Sequence, residues 1–224
     1  MAITEKELLN LLDQANLHYE LHERTKEPVL LYHAYNYTNT SQQSLLMIVI
    51  QLSENGEYIK FFAPSAYYIE NDESSYAVLR TFTIIAWRVK MVDFELDGND
   101  GEVRPTVDFP LEDNNISIEQ IRRCCQSIAK IIDVMHPFIQ HAIIQGTVHP
   151  NLLDIDIAKL MADHIALTHI KKNKKNDVES LEDLLIERLH EIQENRTPVV
   201  VPEEENKEKD SDSDEPTGFD DEWI

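Results

Sequence analysis

The sequence predicts an α+β fold, an antiparallel sheet of about five strands packed by helices in the order α-β-β-β-α-β-β-α, followed by two extra C-terminal helices and a disordered tail. Three observations carry this. Short segments rich in β-branched and aromatic residues fall into a group of three and a group of two. Stretches with apolar residues every three or four positions flank and separate them. The end of the chain is acidic, contains prolines and has little to bury.

The first helix is signed at its start. Thr4 and Glu7 form a capping box, Ile3 can staple to Leu8, and Leu8, Leu11, Leu12 and Ala15 follow on one face. Pro28 opens a new element. Val29 to Tyr37, Leu45 to Leu52 and Tyr58 to Ala63 read as strands, with Asn55-Gly56 as the hairpin turn between the last two. The run Leu45 to Ile50 does not alternate, which predicts a central strand covered on both faces. A helix is expected from Ser74 to Val89, with Val78, Phe82, Ile85 and Val89 on its buried side. Val92, Phe94 and Leu96 then alternate with acids. After a turn at Asp97 to Gly101 come Val103, Val107 and Phe109, in a strand that Pro105 assigns to an edge or a bulge because it lacks an amide donor.

Ser117 and Gln120 make a second capping box, with Ile116 stapling to Ile121, and open a helix that runs through Ile128, Ile131, Ile132 and Met135. Pro137 predicts a kink in it and Gly146 its end. Two more helices are expected, Leu152 to Ile170 and Val178 to Gln193. The divisions are therefore a domain over 1–146, a helical extension over 147–195 and a disordered acidic tail over 196–224.

Charge separates the tail from the rest. The 224 residues carry 20 Lys plus Arg against 42 Asp plus Glu, a net charge of −22. Of this, −9 lies between Thr197 and Ile224 and −13 in the remainder. Such a balance argues against wrapping duplex DNA or docking on an anionic membrane, since both need basic surface. The N-terminal Met1 to Glu7 is not a secretory signal, and the apolar run Leu45 to Ile50 is too short to span a bilayer, so a cytoplasmic location is expected.

The stretches Met91 to Asp97, Gly101 to Arg104, Val107 to Asp113 and Ile118 to Arg123 read as strand, acidic turn, strand and capped helix. Together with the element order they resemble the YbjN domain family, which is similar in fold to the class I type III secretion chaperones. The likeness covers about the first two thirds of the chain and has no catalytic residues to transfer. It implies a binding or regulatory module, often a homodimer.

Chemistry is mostly absent from the sequence. The glycines make no phosphate-cradling loop, so no nucleotide cofactor is expected. Asp97 to Gly101 resembles a calcium loop, but glycine falls at position five and Asp108 stands where a glutamate belongs, so a solvated turn is expected. His18 and His22 lie one turn apart if the helix continues, without a third ligand, so no metal site is assigned. Adjacent Cys124 and Cys125 cannot bridge without strain and read as core residues or free thiols. No serine or cysteine has a nucleophile signature, and no enzyme is expected.

Two charged features remain. Lys171, Lys172, Lys174 and Lys175 follow a helix, where cations complement the carbonyl end of its dipole; the tail folding back on them is a further reading. The tip carries Phe219, Asp220, Asp221, Trp223 and Ile224, large apolar groups on an acidic segment, and these are the candidate partner-binding residues. The functional expectation is a non-enzymatic, chaperone-like or adaptor module that holds protein clients on its sheet and helix surface. The tail is a second docking element for basic-rimmed apolar pockets, and neither nucleic acid nor membrane is a partner. A regulator of signalling or transcription acting through proteins, and an enzyme with no visible motif, are the alternatives.

Overall fold

Thr4 opens α1 (Glu5–Gln14) as its neighbours dictate: its hydroxyl accepts from the Glu7 amide at 3.2 Å, and Glu7 Oε2 accepts from the Thr4 amide at 2.8 Å. Those bonds hold the Glu7 carboxyl below its usual range. Ile3 and Leu8 are both buried beside the cap. The helix stops at Gln14, and Asn16 takes a positive φ of 50°. The Ala15 carbonyl accepts from the guanidinium of Arg122 at 2.7 Å. In this computed structural model the described residues are 2–173 apart from 40, 70–71 and 113–114. The chain divides into two units, Met1–Leu185 and Ile186–Ile224. The second lies wholly outside the described residues, as does the expected helix from Val178.

The sheet is built from β1 (Glu20–Leu21), β2 (Pro28–His33), β3 (Leu45–Ser53), β4 (Tyr58–Phe62), β5 (Tyr67–Tyr68), β6 (Asp93–Leu96) and β7 (Glu102–Pro110). All pairings are antiparallel, in the order β1-β2-β3-β4-β7-β5, with β6 also on β7. Val103 pairs with both Tyr67 and Leu96, and Thr106 with both Phe62 and Asp93. Strands β4 and β5 therefore share one edge of β7, and β6 takes the other. Five strands form the width of the sheet, as expected, with two-residue β1 and β5 as additions too short to leave a pattern.

Two expectations are corrected here. Strand β7 is internal rather than at an edge. Pro105 is tolerated because it falls where β4 has ended and β5 has not begun, and its carbonyl accepts from Ala63 at 3.1 Å. Strand β3 is central, as its apolar run predicts, but it is covered fully on one face only: Met47 is exposed while Leu46, Ile48 and Ile50 are buried. The hairpin joining β3 to β4 turns through Asn55 and Gly56, which have φ of 56° and 91°. A Cβ on Gly56 would lie 1.9 Å from the carbonyl oxygen of Ile3, whose amide donates to the Gly56 carbonyl at 3.2 Å. Gly56→Ala is thus expected to destabilise the fold by more than about 1 kcal/mol, because strained backbone and clash add. A thermal melt reads this as a fall of several degrees.

The helices lie behind the sheet. The residues of β2, β3, β4 and β7 that face them include Leu30, Leu46, Ile48, Ile50, Ile59, Phe61, Val103 and Val107, all buried. Helix α2 (Asp72–Arg88) buries Val78, Phe82 and Ile85, and the long α3 (Ile118–Gln145) passes through Pro137 as one helix. The second capping box is present at Ser117 and Gln120, and Gly146 ends α3 with a left-handed φ of 64°. Cys124 and Cys125 are buried free thiols, raised by burial to about 11 and about 12, with Cys125 against the hydroxyl of Tyr32. After a single 3₁₀ turn at Pro150–Leu153, α4 (Ile157–Asn173) packs on α3. It begins later than expected because Asp156 is its cap, accepting from the Lys159 amide at 3.0 Å. Among the described residues no helix is long and apolar enough to cross a membrane.

Candidate functional site

Phe219, Asp220, Asp221, Trp223 and Ile224 lie outside the described residues, as do the side chains of the lysine cluster at 171–175. His18 and His22 are not on a helix, since α1 has ended; both are exposed, and His22 Nδ1 accepts from the Thr25 amide at 3.2 Å. Among the described residues no group of three metal-ligating side chains converges. In the acidic turn, Asp97 Oδ1 accepts from the amide and the side chain of Asn99, and Asp100 Oδ1 accepts from the Glu102 amide. Those carboxylates are turned toward the loop's own donors.

The face of the sheet turned away from the helices follows from register. Val29, Leu31 and His33 of β2 share it with Leu45, Met47 and Val49 of β3, then Phe62 and Lys60 of β4, Arg104 and Thr106 of β7, and Glu95 of β6. Its two halves differ. Toward β6 it is an ion network: Lys60 Nζ meets Glu95 at 2.6 Å, Arg104 Nε meets it at 3.0 Å, and both cations stand over the ring of Phe62. Partial burial would raise the Glu95 carboxyl, but the hydrogen bonds from Lys60 and Arg104 outweigh it and hold it below the usual range. Toward β2 the face is apolar and open. Leu31 is 62 % exposed and sits directly across from Met47, 38 % exposed. Strand β1 pairs only with Pro28 and Val29, so among the described residues no strand lies on the outer edge of β2 beside Leu31. Helix α2 also exposes large apolar side chains, Tyr76 at 74 %, Trp87 at 90 % and Leu79 at 38 %, with Arg80 and Thr83 exposed among them.

Behind the end of β2 lies a buried polar centre. Instead of continuing the strand to Tyr37, the chain turns so that the amides of Tyr35, Asn36 and Tyr37 donate to Asp133 Oδ1, at 2.9, 2.6 and 3.0 Å. Asp133 Oδ2 lies 3.0 Å from His164 Nε2 on α4, and Asn36 Nδ2 donates to the Asp133 carbonyl at 3.1 Å. Burial would raise the Asp133 carboxyl, yet the bonds from His164 and from the amides of Tyr37 and Asn36 lower it. One turn along, His136 Nδ1 and the Tyr67 hydroxyl form a 3.0 Å hydrogen bond, with Tyr37 edge-on to the imidazole. Burial pushes His136 down to about 4 and Tyr37 up to about 12. In the sequence His136 stands out only as one of several scattered histidines and Asp133 not at all, although a carboxylate and an imidazole within Ile131-Ile132-Asp133-Val134-Met135-His136 are a visible interruption of an apolar helix face.

The connection to α4 is fastened separately. The Arg88 guanidinium, at the end of α2, donates to the carbonyls of Leu152, Leu153 and Ile155. His149 Nδ1 accepts from the Asn151 amide at 3.2 Å and so caps the 3₁₀ turn. Its ring stands between Phe138 and His141 of α3, at centroid distances of 5.0 and 4.8 Å. Leu152 and Ile155 are buried beneath.

No family model and no curated protein matches this sequence. Among solved structures it is similar to the crystal structure of YbjN from E. coli, a proposed transcription regulator, with 14 % identity and a TM-score of 0.47 over 61 % of this chain and 94 % of that one.

Proposed function

We propose that this chain is a non-enzymatic protein-binding module, chaperone-like or adaptor in kind, that receives its partners on the apolar half of the open sheet face. The observation that supports this reading is the pair Leu31 and Met47, two large apolar side chains side by side and exposed, next to a stretch of β2 edge that is unpaired among the described residues. The exposed Tyr76 and Trp87 of α2 are of the type favoured at binding hot spots. Asp133, His164 and His136 include an acid–base pairing, but Asp133 and His164 are buried and bonded to backbone or to one another, and Tyr67 takes His136. Asp133 positions the chain after β2, and its pairing with His164 holds α4.

The test compares affinity capture by the intact protein with capture by a Leu31→Thr, Met47→Thr double variant, which removes the apolar pair without placing like charges opposite one another, and by a chain ending at Arg196. Loss of a hot-spot pair weakens binding by roughly thirtyfold or more, so the double variant is expected to lose the partners that the intact protein retains, with its melting curve preserved. Partners captured equally by both would overturn the reading. A captured partner kept soluble at near-stoichiometric ratio marks a chaperone; a partner whose activity changes without its solubility marks a regulator.

A further inference from the structure

We propose that the segment from Thr147 to Ile155 is an acid-sensitive latch, which seats α4 on the body at neutral pH and lets go in mild acid when His149 takes a proton and can no longer cap the turn at Asn151. Three features of the geometry meet in this one ring. Its Nδ1 must be unprotonated to accept from the Asn151 amide, because a protonated imidazole has two donors and no acceptor. Its neighbour across a centroid distance of 4.8 Å is the imidazole of His141, so no carboxylate stands there to favour a proton. Its apolar wall is Phe138.

Titratable and charged groups face the latch from α3 and α2, and two acids follow His149 in sequence. From α3 the facing group is His141, and from α2 it is Arg88, whose guanidinium holds the carbonyls of the same turn. Asp154 closes the turn and Asp156 caps α4. Burial, then His141, lowers the seated imidazole below its ordinary value. The released segment therefore binds more protons than the seated one, and seating weakens as pH falls below that of a free histidine, about 6.5. Letting go uncovers Leu152, Ile155, Ile157 and Leu160, which are buried in the seated form.

Hydrogen exchange of the full chain at pH 7.5 and 5.0, corrected for the intrinsic pH dependence of amide exchange, tests the proposal. Peptides spanning 147–160 are expected to open about fivefold more at pH 5.0, the size of losing one helix cap, relative to peptides from β3 that report on the whole body. His149→Asn retains a capping acceptor that does not titrate and is expected to abolish the difference. His141→Gln, which removes the facing imidazole and leaves His149, is expected to reduce it. Equal opening of 147–160 at the two pH values, or a full response in His149→Asn, would overturn the latch. Neither result bears on capture of partners at neutral pH through Leu31 and Met47.

Discussion

Replacing Asp133 with alanine is expected to lower the stability of the body by about 3–5 kcal/mol, the range for removing one partner of a buried polar cluster whose other members stay behind. The carboxylate accepts three consecutive amides, from Tyr35 to Tyr37, and its second oxygen meets His164. Without it those amides have no acceptor, and each orphaned buried donor costs about 1–3 kcal/mol. For a body of this size each kcal/mol is worth roughly 2–4 °C, so the melting temperature is expected to fall by on the order of 10 °C. Asp133→Asn keeps one acceptor oxygen and is expected to lose about half as much, because an amide is a weaker acceptor than a carboxylate. Chemical denaturation of the two variants measures both values. A loss under about 1 kcal/mol for the alanine variant would mean that water satisfies the turn and that Asp133 does not anchor it.

Why this centre was hard to read in advance is a matter of distance along the chain. Local signals survived folding where they are local in cause: Thr4 with Glu7, Ser117 with Gln120, Gly146 at the end of α3, and the Asn55-Gly56 turn are each decided within a few residues. Strand β2 ends four residues earlier than its composition suggests because its continuation is captured by Asp133, nearly a hundred positions away. Pro105 marked a break in pairing, yet which neighbour was interrupted depended on where β4 stops. The run Leu45 to Ile50 was misleading for the opposite reason. Apolar residues facing both ways look alike whether the second face is covered by a helix or, as at Met47, open. That difference separates a core strand from a binding surface, and only the packing of the helices on one side reveals it.

Acid should weaken the whole body through His136, in a window separate from that of its carboxylates. The imidazole is pushed down to about 4 by burial, against an ordinary value of 6.5, while Asp133 nearby pulls in the other direction. In the unfolded chain the ring takes its proton as pH falls through 6.5; in the folded body it remains neutral until about 4, so the unfolded state binds more protons throughout that interval. The difference corresponds to about 3 kcal/mol of stability present above pH 6.5 and lost by pH 4. Glu7, Glu95, Asp97 and Asp133 are shifted the other way, downward, and their contributions fall away only below the ordinary carboxylate range. His136→Asn, which can still accept from the Tyr67 hydroxyl but does not titrate, is expected to reduce the slope of the stability curve between pH 6.5 and 4, leaving the smaller part due to His149 and the loss below pH 4 in place. Urea denaturation at half-unit steps of pH reads both regions. An unchanged slope above pH 4 in that variant would show that other groups carry the acid sensitivity; a slope confined to the carboxylate range in the unaltered protein would show that His136 titrates normally in the fold.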